Sequence, residues 1–145
     1  MKHKFRNLRL EQLERSLKPF LPSLEVTRPQ RGWIRAIRQA TGMTLRELAM
    51  HMRSSVPVAA QFEKSEEEYR ITLKSLRRAA DALDCELVYA LVPKQGNILD
   101  LIERSAEEEA TKNVLAVEQT MALEDQAVGR VKAKIEEETK RLLKK

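Results

Sequence analysis

Thr-Leu-Arg-Glu-Leu-Ala-Met-His-Met-Arg-Ser-Ser-Val-Pro-Val-Ala-Ala-Gln-Phe-Glu-Lys, residues 44–64, reads as two short helices joined by a turn. Thr44 is placed to cap the first helix, and Glu47 three residues on completes a capping box. Leu45, Leu48, Ala49 and Met52 then fall on one face at helical spacing. Ser54-Ser55 interrupt that pattern. Ser55 is placed to cap a second helix whose first turn holds Pro57, where a missing N–H costs nothing. Val58, Ala59 and Phe62 supply the buried face of that helix. Two helices joined by a turn of about four residues form the unit that lays its second helix in the DNA major groove. The same local pattern also fits any small helical hairpin.

If the second helix reads DNA, its early positions are unusually apolar. Val56, Pro57 and Val58 stand where side chains with hydrogen-bonding groups are expected, although valines can pack on thymine methyls. Gln61 alone carries the donor–acceptor pair that suits adenine. Arg46, Arg53 and Lys64 are the phosphate candidates. The candidate DNA contacts are therefore Arg46, Arg53, Ser55, Val56, Val58, Gln61 and Lys64.

On the N-terminal side, Phe5 to Leu17 predicts a helix with Leu10, Leu13 and Leu17 on one face, followed by a connector punctuated by Pro19, Pro22 and Pro29. A helix is expected from about Gly32 to Thr41, with Trp33, Ile34, Ile37 and Ala40 inward and Gly42 placed to stop it. Beyond residue 64, an acidic loop is expected from Ser65 to Arg70. Thr72 then caps a helix bearing Leu73, Leu76, Ala79, Ala80 and Leu83. The apolar, β-branched run Cys85-Glu-Leu-Val-Tyr-Ala-Leu-Val-Pro93 predicts a strand of about six residues. A lone strand needs a partner, and the simplest is its own copy in a second subunit.

From Asn97 onward the chain holds no proline and reads as one long helix or two. Val114, Val117, Met121, Glu124, Val128, Val131, Ile135, Glu138 and Leu142 step alternately by three and four, the seam of a coiled coil or of a helix laid in a partner's groove. Glu124 interrupts that seam, where a carboxylate is costly unless paired or unless the helix rotates to keep it wet. These readings divide the chain into a basic helix and connector (1–30), a helix-turn-helix domain ending in a strand (31–93) and a C-terminal helical segment (97–145). The fold class expected is mostly α, with one short β-strand.

The 145 residues carry a net charge of +5, unevenly spread. Residues 1–40 hold ten Lys/Arg against three acids, a front end that suits phosphate contact or a solvated terminus equally. No apolar run approaches the roughly 20 residues of a membrane span. No signal core follows the basic start, so a cytoplasmic protein is expected. Cys85 is alone, which excludes an internal disulfide and a cysteine-based zinc site, and it is expected to be a packed thiol. His3 and His51 have no clustered ligand partners. The acidic runs at 66–68, 107–109 and 136–138 read as solvated faces or loops. No catalytic set, metal site or cofactor is implied, and no enzyme is expected.

Arg-Gly-Trp-Ile-Arg-Ala-Ile-Arg at 31–38, Gly-Met-Thr-Leu-Arg-Glu-Leu-Ala at 42–49 and the 85–93 run resemble the bacterial family called mobile mystery protein A. The same core resembles the wider Xre/Cro group of repressor-like domains. Thr-Met-Ala-Leu-Glu-Asp-Gln at 120–126 is the more specific part of the match. The resemblance implies a neighbouring gene for a Fic-domain protein, an enzyme that transfers AMP from ATP to hydroxyls. Inhibitory helices of Fic enzymes carry Ser/Thr-x-x-x-Glu followed by Gly or Asn, and the glutamate pairs with an active-site arginine. Thr120 and Glu124 match the first two elements, Asp125 departs from the third, and Met121 would flank them. Ser105-x-x-x-Glu109, followed by Ala110, fits the spacing as well. What the resemblance implies is an antitoxin-like protein that binds double-stranded DNA, represses its own operon and neutralises a Fic partner. A plain dimeric regulator and an adaptor without DNA binding are the competing readings. A homodimer is expected, through the 86–92 strand or the C-terminal helix.

Overall fold

The computed structural model describes residues 2–120 and 127–145, with side chains over 4–117 and 129–145. Seven α-helices are present among them: α1 (Lys2–Leu17), α2 (Trp33–Ala40), α3 (Leu45–His51), α4 (Val56–Glu67), α5 (Leu73–Ala82), α6 (Ile98–Thr120) and α7 (Ala127–Leu143). A 3-10 stretch, Lys18–Glu25, follows α1. The chain divides into two compact units, residues 22–90 and residues 1–21 with 91–145.

The central unit, 22–90, is a small helical domain in which α4 touches α2, α3 and α5. Its core is Ile34, Leu48, Ala49, Met52, Ala59 and Ala79, with Phe62, Leu76 and Leu83 packed around it. Small residues at Ala49, Ala59 and Ala79 let the helix backbones approach closely, so a modest set of apolar side chains fills the interior.

All four helices of this unit end the same way. In each, the residue after the C-cap is left-handed, at Gly42 (φ 70°), Arg53 (φ 52°), Tyr69 (φ 57°) and Asp84 (φ 54°). At each end two backbone bonds return to the last turn, as in Met43 N–H to Arg38 O (2.9 Å) and Ser54 N–H to Ala49 O (2.9 Å). Gly42 stops α2 as its position implies. The other three positions hold side chains in a conformation that favours glycine.

Several expectations are corrected. The acidic run is not a loop: Glu66 and Glu67 extend α4, and Glu66 is 5% exposed. Trp33 is 43% exposed rather than inward, and Ala40 is exposed too, because α2 turns Arg35 and Arg38 toward α4. The expected strand is a different case: none is found among the described residues of the single chain, where 85–93 is irregular with Val88, Tyr89 and Leu91 exposed, and a strand needs an adjacent segment to bond with. Cys85 is free and exposed rather than packed.

In the other unit, Asn97 and Asp100 cap the start of α6 reciprocally, and Glu14 of α1 accepts the Leu99 N–H at 3.1 Å. Among the described residues the C-terminal segment holds two helices, α6 and α7, packed along each other. Val114 is buried, Val131, Ile135 and Leu142 are half-buried, and Glu138 pairs with Arg141. This part of the expected seam is thus covered within the chain itself.

Gly32 tests the fold most directly. It sits at φ 90°, ψ 164°, a region essentially restricted to glycine, and an added Cβ would lie 2.6 Å from the Glu66 carboxylate. Gly32→Ala is expected to destabilise the central unit by about 2–4 kcal/mol. Gly42→Ala, with open space around it, is expected to cost about 1 kcal/mol. Urea unfolding followed by fluorescence of Trp33, the one tryptophan of the sequence, measures both.

Candidate nucleic-acid interface

The helix pair α3–α4 is built from local chemistry. Thr44 Oγ1 accepts the Glu47 N–H (3.2 Å), and the Glu47 carboxylate accepts the Thr44 N–H (2.7 Å), completing the capping box. Those bonds from Thr44, with the nearby His51, hold the Glu47 carboxyl below its ordinary value. The turn runs from Met52 through left-handed Arg53 to Ser55, which occupies the N-cap position of α4. Its hydroxyl makes no capping bond, so Ser55 caps by position only. Pro57 lies in the first turn of α4, where its missing N–H leaves nothing unsatisfied.

Two bonds tie this pair to α5. His51 Nδ1 lies 3.0 Å from the Ala82 carbonyl, which requires the proton on Nδ1. Arg78 donates to the Met52 carbonyl at 2.6 Å and lies over the Phe62 ring. The end of α3 is thereby fixed from outside the pair.

The far end of α4 is held by charge. Glu63 is 1% exposed and accepts from Arg35 Nε (2.9 Å) and Arg38 Nε (2.5 Å). Burial pushes the Glu63 carboxyl up, but the bonds and charges of Arg38 and Arg35 outweigh it, and the net shift is downward. Glu66 accepts the backbone N–H groups of Trp33 (2.7 Å) and Ile34 (2.9 Å). It supplies the cap that Gly32, without a side chain, cannot. Arg28 closes the last turn of α4 by donating to the Glu66 (3.2 Å) and Glu67 (3.4 Å) carbonyls, while its guanidinium stacks 4.0 Å from the Tyr69 ring.

These anchors orient the reading surface. Ala59, Glu63 and Glu66 follow i, i+4, i+7 and face inward. Pro57, Gln61 and Lys64 repeat the spacing on the opposite side and are exposed. Val56 is 40% exposed at the start of the helix, while Val58 is half-buried at the edge. Gln61 is engaged within the helix, donating to Ser65 Oγ at 3.0 Å, a bond it must release to meet a base. Arg46 and Arg53 are exposed on α3 and in the turn. Lys74 and Arg77, exposed on α5, are cations that the sequence reading did not single out. Glu63 and Glu66 were missed as well, although continuing the inward line of Ala59 by four and seven residues lands on both.

Residues 34–89 match the helix-turn-helix family model. No curated protein and no solved structure matches the chain. The matched stretch runs from the second residue of α2 to Tyr89, within the irregular segment, so this part of the chain is similar to helix-turn-helix domains. That class is one of DNA-binding transcriptional regulators rather than enzymes. Among the described residues there is no cluster of metal-binding side chains, and no helix is long and apolar enough to cross a membrane.

The depressed carboxyls give the domain a defined acid sensitivity. A carboxyl whose folded-state value lies below its unfolded value adds stability above the ordinary 4.5 and loses it as pH falls through the lowered value. Central-unit stability is therefore expected to decline below pH 4.5. Glu63→Gln should cost about 2–4 kcal/mol at neutral pH by removing the carboxylate that Arg35 and Arg38 share, and should make that decline shallower. Urea titrations over a pH series check both signs.

Proposed function

We propose that this chain is a DNA-binding autoregulator that also neutralises a Fic-domain AMP-transferase. The observation that carries the DNA-binding half is the exposed line Pro57–Gln61–Lys64 on a helix whose inner line is pinned by two buried glutamates. A base-reading helix gains discrimination from being rigidly aimed, and α4 is aimed by α2, α3 and α5 together. Gln61 reads a base, Val56 and Val58 pack on groove methyls, and Ser55, Arg46, Arg53 and Lys64 hold phosphates. Arg53 fits this role in a further way. It occupies a left-handed position that glycine would fill with less strain, so an exposed cation is retained there at a conformational cost.

Such domains bind two half-sites as dimers. The exposed apolar run 86–92 pairs with its own copy in this reading, since its backbone has no ladder partner within the described chain and its Val88, Tyr89 and Leu91 are open. If so, Gln61→Ala relaxes preference at one base pair by about 1–3 kcal/mol. Arg46→Ala weakens all sequences alike and lowers the salt slope by about 1. Band shifts with the gene's own promoter, at several salt concentrations, measure both. Absence of any salt-sensitive binding overturns this half.

The inhibitory half rests on the resemblance of 120–126 to the Fic-associated family and on the separate unit that bears it. Thr120 is the last residue of α6; Met121, Glu124 and Asp125 lie outside the described residues. Glu124 pairs with an arginine of the Fic site, a bidentate contact that offsets the cost of its apolar seam. Met121 with its neighbours supplies affinity. Glu124→Gly is then expected to relieve inhibition while the complex persists, and Met121→Asp to break the complex. AMP transfer by the co-purified partner reads the outcome. Full inhibition by the Glu124→Gly chain overturns the mechanism in favour of Glu109 or steric masking.

A further inference from the structure

Ten Lys/Arg precede residue 41, and the structure sorts them into two groups. Arg28, Arg31, Arg35 and Arg38 are internal to the central unit, engaged by the Glu66 and Glu67 carbonyls, Glu67 and Glu63. Arg35 and Arg38 share the Glu63 carboxylate, exposed Arg31 reaches Glu67 at 3.5 Å, and Arg28 bonds carbonyls and the Tyr69 side chain rather than a carboxylate. The remaining six, Lys2, Lys4, Arg6, Arg9, Arg15 and Lys18, lie on or just after α1, in the other unit. The side chains of Lys4, Arg6, Arg9, Arg15 and Lys18 are exposed and make no ion pair among the described residues. α1 has two acids, Glu11 and Glu14, and Glu14 is committed to the N-terminus of α6.

The half-buried residues of α1 form one line, Leu10, Glu14 and Leu17, at i, i+4 and i+7. At about 100° per residue the opposite half of the helix carries Lys4, Phe5, Leu8, Arg9, Gln12, Arg15 and Ser16, with Glu11 the one acid at its edge. From Lys4 to Arg15 this face rises about 16 Å, enough to follow several phosphates of one strand.

We propose that the outer face of α1 is a second, sequence-independent contact to the DNA backbone, with Lys4, Arg9 and Arg15 each neutralising a phosphate of the duplex that α4 reads. The proposal rests on the DNA-binding reading of α4 and adds where most of the salt-sensitive affinity resides. Unanswered cations along one helix side repel each other, and binding a polyanion turns that cost into gain by releasing its counterions. A helix that lies in a membrane surface separates an apolar face from a charged one. Here Phe5 and Leu8 are interleaved with the cations and Gln12, so a phosphate backbone fits better than a lipid layer. Base reading and charge neutralisation thus fall to different units of the chain.

The test uses the full chain and its Lys4→Gln/Arg9→Gln/Arg15→Gln variant. All three positions are exposed, and circular dichroism verifies that the helices are retained. Fluorescence anisotropy is read on the promoter duplex and on a scrambled duplex across about 50–200 mM salt. The triple variant is expected to flatten the salt slope by about 2–3, to weaken both duplexes at least about ten-fold near 0.1 M salt, and to keep the preference between them. Gln61→Ala serves as the opposite control, losing preference with its slope unchanged. An unchanged slope in the triple variant, with wild type still binding, overturns this proposal and leaves the α4 reading standing. Absence of wild-type binding to either duplex overturns both. Loss of sedimentation with phosphatidylglycerol vesicles, with the DNA slope unchanged, makes the face a membrane contact instead.

Discussion

Two buried carboxylates on α4 decide where its outer face points. Glu63 takes two guanidinium groups from α2, and Glu66 takes the first two backbone N–H groups of the same helix. Ion pairs in an interior rarely add much net stability, because desolvating the charges offsets their attraction. They are directional where apolar contacts are not. A leucine at 63 could rotate α4 slightly and still be buried, whereas a carboxylate fixed by Arg35 and Arg38 allows one orientation. The glycine at 32 belongs to the same arrangement, since its missing Cβ is the space that the Glu66 carboxylate fills.

The helix ends tell a related story of polar geometry over apolar mass. Four successive helices close with the same pair of backbone bonds, and only one uses glycine at the left-handed position. Tyr69 is compensated there by the Arg28 guanidinium, which stacks on its ring and satisfies the carbonyls left open at the end of α4. Arg53 makes no comparable side-chain contact among the described residues, and the turn it occupies between α3 and α4 is closed by the Arg53 and Ser54 N–H groups, which return to Met50 and Ala49.

Charge in this chain cannot be read as a total. The net +5 and the basic front end suggest one continuous surface, yet three of the ten early cations, Arg31, Arg35 and Arg38, meet carboxylates within the central unit. Apart from Arg28, the rest of that early group lies on α1 or just after it. Long-range attraction depends on that remainder, since a guanidinium paired with a carboxylate adds almost no field beyond its own neighbourhood.

The sequence by itself determined what depends on residues within about four positions of each other. The Thr44–Glu47 box, the Gly42 stop, the turn at 52–55 and the inward set Leu48, Ala49, Met52 and Ala59 are local, because caps and helical periodicity are local physics. Tertiary structure alone decided the rest. Glu66 reads as solvated until α2, more than 30 residues away in sequence, presents two bare N–H groups to it. Trp33 reads as core until Arg35 and Arg38 claim the inner side of α2. The seam at 114–142 shows its spacing but not its partner, and α6 and α7 turn out to cover part of it themselves. Residues 86–92 have the composition of a strand, but a strand is a relation between two segments, and sequence specifies only one of them.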